Sequence, residues 1–293
     1  MKFLKDFKEI KGDASFRKFY RNTKKNSIIV LANKEKIKNL LIYDSINKIL
    51  IKNNIIAPKL FSQNYKKNYI EIQDLGNKTI YQLFVNHNKN HYLIFKKVIN
   101  VLNNIQLIRD KKIKNFRNKF YKIKDYKKKI LFDETRLFCD WYVPKKLTKK
   151  KINKFNYQFN KEIKLLLSRL NLRNDTFVHR DFHISNLIIN SKKQIGLIDN
   201  QDALIGNKAY DLASIIDDVR YKTSNLLKDK VYNYYLKTNK KINVEKFKND
   251  FDILSVLRNL KIIGIFMRLA ERDKKKKYLK LIPYAWKMID NRM

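Results

Sequence analysis

Apolar positions change rhythm along this chain, and the change falls near residue 76. Before it, short apolar runs follow turn residues and predict β-strands over 16–20, 27–31 and 69–73. Between them Ile37, Leu40, Leu41, Ser45 and Ile49 recur at helical spacing, predicting one helix over 37–51 that ends near Asn53 and Asn54. After Asp74-Leu75-Gly76 the pattern turns to long helices, for example over 92–108, 160–170 and 250–272. One strand pair interrupts them, with Leu187 to Asn190 and Ile195 to Ile198 flanking the polar turn Ser191-Lys192-Lys193 as a β-hairpin would. The expected class is therefore α+β and bilobal: a small N-terminal β-sheet lobe with one helix over 1–76, ending in a hinge, and a larger, mainly helical lobe over 77–293.

Composition refines this picture. With 44% hydrophobic residues in 293, the chain can bury a core despite 32% charged residues. No run of about 18 apolar residues and no cleavable leader stands out, and one cysteine, Cys139, cannot form an internal disulfide. Those features lead to the expectation of a cytoplasmic monomer with no membrane partner. The net charge of +40, from 67 Lys and Arg against 27 Asp and Glu, invites a nucleic-acid reading. Its lysines, however, are spread from Lys2 to Lys287 rather than gathered on one element, which reads as solvated surface and no specific nucleic-acid partner. Such a field draws in anions and repels polycations.

The stretch Phe177-Val178-His179-Arg180-Asp181-Phe182-His183-Ile184-Ser185-Asn186, with its hairpin and Asp199, carries the candidate chemistry. An antiparallel pair sets the start of one strand beside the end of the other, so Asn186 and Asp199 become neighbours although 13 positions separate them. A carboxylate and an amide oxygen suffice as the protein's share of a Mg²⁺ shell, because that ion keeps waters and phosphate oxygens in the rest of its octahedron. Asp181, five positions before Asn186, is placed to accept a hydroxyl proton. An isolated His-Arg-Asp arises by chance, and Asp199 alone fits a strand-end turn. Together, after a small β lobe, they form the kinase catalytic pattern and imply ATP and Mg²⁺. His179 and Arg180 read as scaffold, and His183 as shaping the loop.

Here the chain resembles the aminoglycoside phosphotransferase superfamily, of protein-kinase-like fold, in which a histidine two residues after the catalytic Asp is frequent. The likeness is closer to the cell-wall-recycling kinases that phosphorylate the anomeric hydroxyl of N-acetylmuramate and N-acetylglucosamine. It is carried by Gly12-Asp13-Ala14-Ser15-Phe16-Arg17 with Tyr20-Arg21, by Leu137-Phe138-Cys139-Asp140-Trp141-Tyr142-Val143, by Asp199-Asn200-Gln201-Asp202-Ala203 with Gly206, Tyr210 and Asp211, and by Leu260-Lys261-Ile262-Ile263-Gly264-Ile265-Phe266 with Arg268, Arg272 and Asp273. The sequence departs from the family where the third strand ends in Leu31-Ala32-Asn33-Lys34 rather than Met-Asp-Ala-Pro-Pro, at Asn200 in place of Phe, and at Leu257-Arg258-Asn259 in place of Gln-Arg-His. The third strand holds no lysine for the phosphates; Lys34 and Arg17 are the two substitutes.

Residue roles follow. Gly12, Asp13, Ala14 and Ser15 would close over the phosphates through backbone N–H groups, with Arg17 beside them, and Gln73, Asp74 and Leu75 would read adenine as the hinge. Trp141 fits a core position by spacing and a sugar platform by resemblance. Glu134 and Asp140 are candidate acceptors for sugar hydroxyls. Arg258 and Arg268 are candidate partners for a lactyl carboxylate, or surface ion-pair formers. Asp211 is expected to anchor the catalytic loop. A sugar is the expected small-molecule partner; the alternatives are a kinase for an aminoglycoside, choline or homoserine, and a basic nucleic-acid-binding pseudokinase.

Overall fold

Val30 and Ala32, Leu40 and Tyr43, and Ile70 and Ile72 form a buried apolar cluster between the N-terminal sheet and the first long helix. The structure is a computed structural model describing residues 6–10, 17–22, 24–86 and 90–293. Its elements are β1 (Phe7–Ile10), β2 (Lys18–Asn22), β3 (Ser27–Leu31), α1 (Lys38–Lys52), β4 (Leu60–Asn64), β5 (Tyr69–Gln73), α2 (Ile80–Asn86), α3 (His91–Gln106), β6 (Lys112–Lys114) and β7 (Phe120–Lys122). There follow α4 (Lys128–Thr135), α5 (Lys149–Ser168), β8 (Asn174–Val178), β9 (Leu187–Ile189), β10 (Ile195–Leu197), β11 (Leu204–Asn207), α6 (Ala209–Ile216), α7 (Asn225–Thr238), α8 (Val244–Glu271) and α9 (Ile282–Asp290). Among the described residues no helix is long and apolar enough to cross a membrane.

The chain divides into two compact units. One holds the described residues up to Lys124 together with Asp181–Leu204; the other holds Asp125–Arg180 and Ile205–Met293. This division differs from a boundary at residue 76, and backbone hydrogen bonding gives the reason. The β9–β10 hairpin, distant in sequence, donates Ile189 N–H to Lys78 O at 2.9 Å and Leu197 N–H to Ile56 O at 2.8 Å, which attaches it to the N-terminal segment. Phe116 N–H likewise donates to Asp44 Oδ2 at 2.7 Å and ties the β6–β7 connection to α1.

In the first unit, the described residues form a five-stranded sheet in the order β1-β2-β3-β5-β4. Its pairings are antiparallel, with Ser27 opposite Gln73 and Leu31 opposite Tyr69. Val30, Ile70 and Ile72 face α1, which buries Leu40, Tyr43, Ile46, Ile49 and Leu50. That periodic burial, more than intrinsic propensity, holds an Ile- and Asn-rich helix together.

In the second unit, α8 is buried along much of its length. Gly264 lets it lie against the backbone of residues 137–138, because a Cβ there would meet Leu137 C and O at 2.3 Å and Phe138 N at 2.6 Å. A larger residue would have to push the helix away. Two buried carboxylates fasten the unit's connections. Asp250 accepts the N–H groups of Asn171 and Leu172, each at 2.8 Å. Asp217 accepts from Lys228 at 2.8 Å, Ser255 at 2.6 Å and Arg292 at 2.9 Å.

Candidate functional site

The sequence expectation for the hairpin is met in register: Leu187 opposes Leu197 and Ile189 opposes Ile195. Ile198 N–H donates to Asn186 O at 3.1 Å, extending the ladder one step beyond the strands. Asn186 is the acceptor of this last bond and Asp199 follows its donor, so the two residues stand at the same end of the hairpin. Asn186 Nδ2 donates to the main-chain carbonyl of Asp181 at 3.0 Å and lies 3.3 Å from His183 Nε2. The amide nitrogen is thereby committed to the loop, which leaves Oδ1 as the atom offered outward. Two non-glycine residues adopt left-handed backbone here, Arg180 (φ 72°) and Asp199 (φ 63°). Such conformations cost about 1 kcal/mol or more and persist where surrounding structure dictates them, commonly at functional sites.

Arg17 comes to the same place from the segment before β2. It donates Nη2 to Asp199 Oδ1 and Nη1 to Gln201 Oε1, both at 2.7 Å. Burial pushes the Asp199 carboxyl up; Arg17 draws it back, and Asp181 and Asp202 raise it again by repulsion. A half-buried carboxylate repelled by two others is a poor place for more negative charge and a good one for a divalent cation. The donor set of Asp199 carboxylate and Asn186 Oδ1 is all hard oxygen, which fits Mg²⁺ and leaves room for waters and phosphate oxygens. Among the described residues no cluster of three His, Cys, Asp or Glu side chains could hold a metal by itself.

The hinge candidates differ in what they have left to offer. Gln73 N–H donates to Lys59 O at 2.8 Å and Asp74 N–H to Asn26 O at 2.9 Å, so neither donor is open to adenine. The Asp74 carboxylate is also engaged, by Arg21 at 2.5 Å and by Gly76 N–H at 2.8 Å. Gly76 sits at φ 101°, a left-handed turn that suits glycine. Leu75 is the hinge residue whose N–H has no acceptor among the described residues. Gly12, Asp13, Ala14 and Ser15 lie outside the described residues.

The second unit holds the remaining candidates. Asp211 accepts the backbone N–H of His179 at 2.6 Å and of Arg180 at 3.0 Å, fixing the loop two residues before Asp181. The Arg180 guanidinium pairs with Glu134 and lies over the Tyr126 ring, 5.1 Å from its centroid. Lys261 reaches Glu134 Oε2 at 3.1 Å, and the Tyr126 hydroxyl donates to the same oxygen. Burial raises the Glu134 carboxyl, but Lys261, Arg180 and the tyrosine hydroxyl outweigh it and hold it below its ordinary range. Glu134, expected to receive sugar hydroxyls, is thus the shared counter-ion of two cations. Lys261 and Tyr126 were not legible as its partners, since nothing in the spacing of either marks it out.

Arg258 lies in the middle of α8, 4% exposed, and its Nη1 is buried without a hydrogen-bond partner. Arg268, about three turns further on, has its Nε in the same condition. Burial and the nearby Arg272 press the Arg268 guanidinium towards neutrality, against the pull of Asp273. It is Arg272 that pairs with Asp273, at 2.8 Å and 3.0 Å. Asp140 is exposed and 3.6 Å from Arg136. Phe138 and Tyr142 join Phe155, Phe159 and Trp286 in an aromatic cluster. Trp141 takes no part in that cluster and is half-buried beside it.

Comparison with known proteins gives the family and the fold. A family model described as the phosphotransferase enzyme family matches residues 6–241. An N-acetylmuramate/N-acetylglucosamine kinase of Neisseria meningitidis is 26% identical over 283 residues, covering 93% of this chain and 81% of that protein. The protein of that name in Pseudomonas aeruginosa is 25% identical over 286 residues, 95% and 81% of the two chains. Among solved structures, choline kinase LicA from Streptococcus pneumoniae aligns with a TM-score of 0.66 at 12% identity, over 97% of this chain and 93% of that one. At that identity the likeness shows the protein-kinase-like fold.

Proposed function

This chain belongs to the phosphotransferase enzyme family and is a small-molecule kinase; from that premise we propose that it carries the γ-phosphoryl group of ATP to the anomeric hydroxyl of an N-acetylmuramate- or N-acetylglucosamine-type sugar, in cell-wall recycling. The observation that carries the reading is the hydrogen bond from Asn186 Nδ2 to Asp181 O at 3.0 Å, at the end of a hairpin that also presents Asp199. It supports a reading in which a proton acceptor and two oxygen ligands lie in one small segment. Phosphoryl transfer asks a protein mainly to position reactants and offset charge. Asp181 orients the acceptor hydroxyl and receives its proton at the carboxylate. Asn186 and Asp199 hold Mg²⁺, which when bound shields charge on the phosphates. Leu75 N–H serves adenine, and Gly12, Asp13, Ala14 and Ser15 serve the phosphates.

For the acceptor, Trp141 supplies an aromatic face and Asp140 an exposed carboxylate for hydroxyls. Arg258 supplies a cation for the lactyl carboxylate of a muramate-type sugar. An arginine buried without a counter-ion is costly, and an anionic group on the acceptor would offset that cost with a bidentate pair. The same charge disfavours cationic acceptors such as choline or an aminoglycoside.

Incubation with γ-labelled ATP, Mg²⁺ and a panel of amino sugars, choline and an aminoglycoside tests the reading. The expected product is an amino sugar whose phosphorus resonance couples to the anomeric proton. Labelled choline or aminoglycoside, or phosphate on another sugar hydroxyl, would overturn it.

A further inference from the structure

Protein kinases steady the nucleotide phosphates with a lysine from the third strand, itself paired with a glutamate on the following helix. Neither half of that pair is present here. The third strand reads Ser-Ile-Ile-Val-Leu. The side chains that α1 buries at its middle are Tyr43, Asp44, Ser45, Ile46 and Asn47, and Asp44 is committed to Phe116 N–H and Lys48. Lys34, one of the two candidate substitutes, is exposed in a short 3₁₀ turn with no buried residue.

Arg17 has the features Lys34 lacks. It is 5% exposed, its guanidinium is held 5.7 Å from the centroids of both the Phe19 and Tyr43 rings, and its two terminal nitrogens are aimed at Asp199 and Gln201. The missing link to α1 is made by other atoms: Asn200 Nδ2, next to Asp199, donates to Asn47 Oδ1 at 2.8 Å. Helix, metal-site loop and buried cation are thus joined as a lysine–glutamate pair would join them, with the charge supplied from the residue just before β2.

We infer that Arg17 is the phosphate-binding cation of this kinase, relocated from the third strand, and that in the nucleotide-free protein it serves as the counter-ion of Asp199. This rests on the kinase reading given above. Arginine cannot release its proton in a protein, so its charge persists whatever the occupancy of the site. Once a divalent cation takes the Asp199 carboxylate, the guanidinium loses part of its partner's charge, and its planar fork matches a phosphate's oxygens.

Calorimetric binding of adenosine, ADP and ATP, each with Mg²⁺, to the wild-type protein and to Arg17→Met and Arg17→Lys tests the inference. Arg17→Met should bind ADP and ATP roughly 10- to 100-fold more weakly, the range for a lost hydrogen bond to a charged group. Adenosine, lacking phosphates, should keep its affinity within about twofold, a result that collapse of the fold would not give. Arg17→Lys keeps the charge without the fork and should recover part of the loss. Unchanged ATP affinity in Arg17→Met, equal loss for adenosine, or Arg17→Lys as weak as Arg17→Met would each overturn the assignment. Failure of the wild-type protein to take up Mg·ATP would remove the kinase reading itself, and the inference with it.

Discussion

Asn186 gives its amide N–H to the main-chain carbonyl of Asp181, 3.0 Å away, at the end of the hairpin that Asp199 follows. On the proposed reading, one side chain then both positions the proposed proton acceptor and contributes to the proposed metal site. Asn186→Ala should damage both. Mg·ATP affinity should fall by about 10- to 100-fold, the loss typical of disturbed metal shells, and turnover should fall further. Titration of Mg²⁺ at fixed ATP checks this, and an unchanged magnesium requirement would separate Asn186 from the metal.

Glu134 is the counter-ion of both Arg180 and Lys261, so Glu134→Gln should leave two cations short of a partner and cost about 3 kcal/mol of stability. The Glu134 carboxyl is held below its ordinary value of 4.5. Its contribution is therefore complete above that pH and is lost as pH falls through the lowered value. Urea unfolding should show a constant gap between the wild-type and variant proteins near neutral pH, narrowing on acidification below 4.5. A gap that widens in acid would contradict this account.

Arg258 offers a test of acceptor choice. Arg258→Gln keeps hydrogen-bond donors and removes the buried charge. It should raise KM for N-acetylmuramate by about 10-fold or more while leaving KM for N-acetylglucosamine, which has no carboxylate, close to its original value. An equal effect on the two sugars would make Arg258 a structural residue.

Much of the first unit could be read in the sequence because its apolar periods coincide with its burial. The strands over Ser27–Leu31 and Tyr69–Gln73 and the hairpin at Leu187 stand where the pattern puts them. The start of α5 was hidden for a physical reason. Its first half is rich in exposed lysine, and this masks an apolar period, Ile152, Phe155 and Phe159, that leads on to the buried Ile163 and Leu167. The unit boundary was hidden too, since it depends on backbone bonds such as Leu197 N–H to Ile56 O that no local pattern encodes. Asp181, Asn186 and Asp199 could be singled out as candidates from spacing, because a hairpin brings the residues at its open end together. The link between Arg17 and Asp199 joins residues 182 positions apart, and spacing says nothing about such a pair.

On the proposed reading, Asp181 serves the chemical step and not the binding of nucleotide. Measuring Mg·ATP affinity and sugar-dependent turnover side by side for the wild-type protein and Asp181→Ala tests it most directly. Affinity should stay within about threefold while turnover falls by at least 100-fold, the lower end of general-base contributions. Turnover retained in Asp181→Ala, or lost only in step with nucleotide binding, would contradict the account.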